Sequence, residues 1–247
     1  MITGIVDVLS ILFMLCLLPT VWLVYRKKIE FFKGVFLGTF LLLMSFVCSM
    51  YCINIEYGYT PVDIFTSNAD RFLYIYSSMP EITSGELQQI KAVMAELKTF
   101  YTTLLPALLI LGNLFMSYVI FMISKGIFAL LRKDVSGFEK FCNIKMPGTA
   151  ILLAGICYII SGIAKNSQMG YVFLNFTVII FNVCTICGFS VVDYALRKKI
   201  RFSVLRLLIY IALLILFGSF VTSVIPFVGI ADGILNFRRL GKNPTDS

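Results

Sequence analysis

The chain has no histidine, and only 14% of its 247 residues are charged. The lack of histidine removes the commonest general base and the commonest metal ligand. No GxxxxGK[ST] phosphate loop occurs, so the chain is not expected to hydrolyse nucleotides on its own. HExxH, GxSxG and paired-carboxylate arrangements are absent too, and no Arg ladder marks a voltage sensor. Polar sequence is scarce, with one long stretch at about Glu56 to Phe100. A soluble domain of this length needs a polar surface, and a chain that is 59% hydrophobic cannot cover one.

What remains is apolar and long. Runs such as Gly34–Ile53 and Leu207–Phe217 are apolar on every side. In lipid only helices and closed barrels satisfy the backbone, and barrel strands alternate with period two. The expected fold class is therefore all-α, a polytopic transmembrane helical bundle in a single membrane domain, 1–247. Six segments are expected, at about Gly4–Tyr25, Val35–Ile53, Leu104–Leu131, Gly148–Ile163, Tyr171–Leu196 and Val204–Phe237. The last has roughly 34 residues, or ~50 Å as one helix, against a ~30 Å hydrocarbon core. It is expected to be a kinked helix or a tight hairpin, and a hairpin makes the count seven. Segment one lacks a signal-peptide n-region and small-residue cleavage site, so it is read as retained.

Basic residues fix the orientation. Fourteen Lys and Arg lie in the breaks after segments one, three and five, and four lie in the breaks after two and four. The positive-inside rule places the breaks at 26–33, 125–145 and 197–206 in the cytoplasm and the stretch at about 55–102 outside. The tail residues Arg238, Arg239 and Lys242 obey the rule only if the last region doubles back, which favours the hairpin. The net charge of +8 thus reflects topology and contact with anionic headgroups rather than nucleic acid. Within the outer stretch, Glu56–Pro80 reads as a loop. Thr83 and Glu86 fit a capping box, followed by an amphipathic helix through Leu87, Ile90, Met94, Leu97 and Tyr101 that lies on the membrane or leads into segment three.

The seven cysteines are Cys16, Cys48, Cys52, Cys142, Cys157, Cys184 and Cys187. All but Cys142 lie within apolar runs, and the CxxC at 184–187 lacks further ligands or a soluble βαβ context, so they read as small packing residues. No metal or cofactor is expected. Polar residues inside apolar helices need partners or a purpose. Asn175 and Asn182, seven apart, share a face of segment five, and Asn113 and Ser117 share one of segment three. These four either line a pocket for a small polar solute or join helices by hydrogen bonds. Asp193 stands one turn before Arg197, as an i,i+4 pair at the interface. Asp7 sits near the outer end of segment one. Gly34–Gly38 and Gly229–Gly233 match GxxxG, and Pro19 implies a kink in segment one.

Three stretches carry a family resemblance. One opens at Pro106-Ala107-Leu108-Leu109-Ile110-Leu111 and continues through Phe138-Glu139-Lys140-Phe141 and Lys145-Met146-Pro147. The second is Gly188 ahead of a basic helix end. The third is Gly229-Ile230-Ala231-Asp232-Gly233-Ile234-Leu235-Asn236-Phe237-Arg238-Arg239. Over roughly 104–239 the chain resembles the YybS-like family, bacterial polytopic membrane proteins with a domain of unknown function. That family is distantly similar to the substrate-binding subunits of energy-coupling-factor transporters. The resemblance implies a non-enzymatic small-molecule binding or transport subunit of the bacterial inner membrane, served by a partner membrane subunit and an ATPase. Pro106, Pro147, Gly188, Gly229, Asp232, Phe237 and Arg238 are its motif residues, with Asp232 and Arg238 as a clamp at the membrane boundary. The alternative is a membrane scaffold or regulator of the cell envelope or sporulation, acting through helix and protein contacts. An intramembrane enzyme is disfavoured by the missing chemistry.

Overall fold

A computed structural model describes residues 17–79, 83–165, 167–200 and 202–238, together with Ile11 and Leu15. Asp7, Cys16, Arg201, Arg239 and Lys242 lie outside the described residues. The described chain is helical, with no strand among them. It divides into two compact units, Met1–Phe138 and Glu139–Ser247.

In the first unit, α1 (17–25) ends where Lys27 takes a left-handed conformation at φ 55°. The Lys28 and Lys27 amides then close onto the Leu23 and Val24 carbonyls, a Schellman ending without its usual glycine. Next come α2 (Phe31–Tyr57), α3 (Pro61–Ser77) and α4 (Ser84–Leu130). The core joins Val21, Val24, Phe31, Val35, Phe121 and Phe138, with Phe31 edge-on to Phe121 at 5.9 Å. Gly34 and Gly38 admit this packing. A Cβ on Gly34 would strike Val24, and one on Gly38 would strike Ser117.

One expectation for the outer stretch changes, and an open alternative is decided. Residues 61–77 form α3 rather than a loop, started by Pro61 at its first turn and by a reciprocal cap between Thr60 and Asp63. A proline at N1 gives up an amide that no helix bond would use, so the start is favoured. The amphipathic segment after Thr83 leads into segment three, the second of the two expected placements. It is the first part of α4, whose 47 residues would measure ~70 Å if straight, more than twice a bilayer core. The Thr83–Glu86 cap forms as the spacing indicates, and Lys98 of α4 pairs with Asp70 of α3.

In the second unit, a 3₁₀ turn at Phe141–Asn143 precedes α5 (Gly148–Ile163), α6 (Gln168–Lys199) and α7 (Ser203–Leu235). Among the described residues, three helices are long and apolar enough to cross a membrane: α2, α4 and α6. Shorter apolar helices lie at Gly148–Ile163 and Ser223–Leu235.

The last apolar region is helical from Ser203 to Leu235, yet its two ends meet. Arg206 pairs with Asp193 of α6 at 3.2 Å, and Arg238, just past the end of α7, bonds Ser190 at 2.7 Å. Ser190 and Asp193 are one turn apart, whereas a straight helix would separate Arg206 from Asp232, onto which Arg238 folds back, by ~39 Å. The helix therefore bends back sharply. Tyr210 still stacks on Phe189, while Ile225 already lies against Gly188, so the bend falls between Tyr210 and Ile225.

Candidate functional site

The most organised polar group lies in the second unit, around the turn of α6 that carries Ser190 and Asp193. Its centre is Arg238, only 6% exposed. Asn236 takes a left-handed conformation at φ 50°, ends α7, and turns the chain back toward Asp232. Arg238 then donates from Nη2 and Nε to Asp232 Oδ2 at 2.7 and 3.1 Å. Nη1 donates to the Cys142 carbonyl at 2.6 Å and to Ser190 Oγ at 2.7 Å, and Nη2 to the Ile144 carbonyl at 2.8 Å. The guanidinium fork holds three separate pieces of chain: the 3₁₀ turn, α6 and the end of α7. The rigid five-donor geometry of Arg suits such a junction, and a lysine could not span it. Ser190 accepts from Arg238 and gives its single hydroxyl proton to the Phe141 or Ile144 carbonyl.

One turn on, Asp193 is buried and carries two cations. Arg197 Nε lies 2.6 Å from Oδ2, and Arg206 lies 3.2 Å from Oδ1. Arg206 also donates to the Ile200 carbonyl at 3.0 Å, near the C-terminus of α6. Positive charge there complements the helix dipole. Spacing identified the Arg197 pair but not Arg206, which reaches Asp193 only because α7 starts beside the end of α6.

Small residues let α6 and α7 touch. A Cβ on Gly188 would strike the Ile225 carbonyl, and one on Gly229 the Cys184 carbonyl. Gly233 meets Ile151 and the Met146 carbonyl, 3.1 Å away, so the Gly229–Gly233 spacing does lie at a helix crossing. Cys184 and Cys187 are buried beside this crossing, with Cys184 Sγ 3.4 Å from Met146 Sδ. Of the other motif residues, Pro106 lies inside α4, Pro147 caps α5, and Phe237 is exposed.

The four candidate ligand-binding residues fall in different settings. Ser117 is fully buried and donates to the Val35 carbonyl of α2 at 2.8 Å, a bond between helices. Asn113, Asn175 and Asn182 each donate to the carbonyl four residues earlier, on Leu109, Tyr171 and Val178. Asn182 is exposed, and Asn175 is half-buried. Asn113 and Ser117 belong to the first unit, and Asn175 and Asn182 to the second.

These features define a helical integral membrane protein whose buried polar groups tie its helices together. The chain belongs to the family described as predicted membrane protein (DUF2232), which matches residues 1–233. No curated protein and no solved structure matches the chain.

Proposed function

We propose that the chain is a non-enzymatic subunit of the bacterial inner membrane that binds or passes a small polar molecule and relies on a partner membrane subunit and an ATPase for energy. One observation carries the reading. Asn182 is exposed on α6, a helix apolar enough to span a membrane, and Asn175 lies two turns earlier. Even with its Nδ2 bonded to the Val178 carbonyl, an amide facing hydrocarbon is less favourable than an apolar side chain, so this stretch of α6 suits a polar neighbour, and a solute or a wet cavity provides one. The lack of histidine and of a phosphate loop argues against an enzyme or a self-powered pump. The likeness to the YybS-like family, and through it to substrate-binding subunits of energy-coupling-factor transporters, points the same way. In this reading the breaks at 26–33, 125–145 and 197–206 face the cytoplasm, and six membrane segments, or seven with a hairpin, complete the domain.

A thermal-shift panel of vitamins and polar metabolites on purified protein tests it. A ligand that stabilises the protein is expected, with the shift lost in N182L and kept in N182Q. No shift with any compound would remove the reading's main support.

The second reading is a scaffold or regulator. It is favoured by Arg238, Asp232, Ser190 and Ser117 all being spent on contacts within the protein. It predicts a stoichiometric protein partner in native membranes and no small molecule.

A further inference from the structure

The bend in α7 has a consequence for how the chain sits in a bilayer. Both ends of the helix are fixed to the same turn of α6, through Arg206 on Asp193 and Arg238 on Ser190. Both anchors lie close to the C-terminal end of α6, beside Arg197, Lys198 and Lys199. Each arm of the bent helix has about 16 residues, or ~24 Å, which falls short of a ~30 Å core. A helix that leaves from one end of α6 and returns there does not cross.

The segment between the arms has the composition such a reversal needs. Gly218, Ser219 and Ser223 lie between Tyr210 and Ile225. Ser219 and Ser223 are exposed, and Ser223 Oγ donates to the Ser219 carbonyl at 2.8 Å. At membrane depth a cluster of exposed hydroxyls is favoured where water or protein covers it rather than lipid.

We infer that α7 is re-entrant: it enters the bilayer from the face that bears the 197–206 basic segment, turns at Gly218–Ser223 inside the membrane against water, and returns to the same face. Arg238, Arg239 and Lys242 then join the basic side, as the positive-inside rule requires. The inference rests on α6 spanning the membrane and is independent of any ligand.

The test uses the full chain with two small tags, one in the turn at 164–167 between α5 and α6 and one after Ser247, read by protease access in right-side-out and inverted vesicles. A re-entrant α7 places the two tags on opposite faces. Tags on the same face would mean that α7 crosses, and would overturn the inference. In the same vesicles, S223C is treated with a small charged thiol reagent and read at that residue by mass spectrometry. Modification is expected from the face that carries the tail. If S223C stays unmodified while the tags lie on opposite faces, the water-facing reversal is wrong.

Discussion

Arg238 and Asp232 are each about 1% exposed at the side chain. Removing one member of so buried a pair strands the other and costs roughly 3–5 kcal/mol. R238A and D232A should each lower the unfolding temperature of the detergent-solubilised protein sharply. R238K should recover little, because a single ammonium cannot serve Asp232, Ser190 and the Cys142 and Ile144 carbonyls together. The charge swap D232R/R238D should fail to rescue for a related reason, since a carboxylate at 238 would face those two carbonyls. Full rescue by the swap would show that the pair acts alone. The family resemblance singled out Asp232 and Arg238 as a clamp. Ser190 and the 3₁₀ turn were not legible, because they are 48 and 96 residues away along the chain. The same contrast applies to glycine. Gly229→Ala should destabilise, because its Cβ meets the Cys184 carbonyl, whereas Gly112→Ala in α4 meets nothing and should be neutral or stabilising by about 0.5–1 kcal/mol. Equal effects of the two substitutions would contradict the close crossing of α6 and α7.

At the scale of elements, apolar runs gave the position of α2, α5 and α6 to within a few residues, because a lipid-exposed helix must be apolar along its length. Helix ends were harder to read. α1 and α4 finish on left-handed Lys27 and Arg132, neither of which announces a terminus as glycine would. α3 was missed because Tyr, Asp, Ser and Asn dominate 56–80, although Thr60-Pro61 with Asp63 two residues on is a start signal in its own right. The caps also respond to acid. Bonds from Thr60 hold the Asp63 carboxyl below its ordinary range, and bonds from Thr83 do the same for Glu86. A carboxylate lowered in the folded state stabilises above its unfolded pKa, and that support is lost as pH falls through the folded value. Amide exchange in the first turns of α3 and α4 should therefore quicken as pH drops below about 4, after correction for intrinsic rates. T83A should quicken the first turn of α4 alone. An exchange profile indifferent to pH would mean that the caps do not form in solution.

At the scale of the whole molecule, composition alone points to a helical membrane protein, since no soluble surface can be made from this sequence. The function was less legible. Amides in a membrane helix read the same from sequence whether they bind a solute or join helices. In the structure Ser117 joins α2 and α4, whereas Asn182 is exposed on α6. Native mass spectrometry of the protein gently extracted from its own membrane tests the proposed function most directly. The account predicts a co-purifying small polar molecule, lost from N182L while the folded protein is retained. A protein that emerges without any small molecule, bound only to a stoichiometric protein partner, would contradict it.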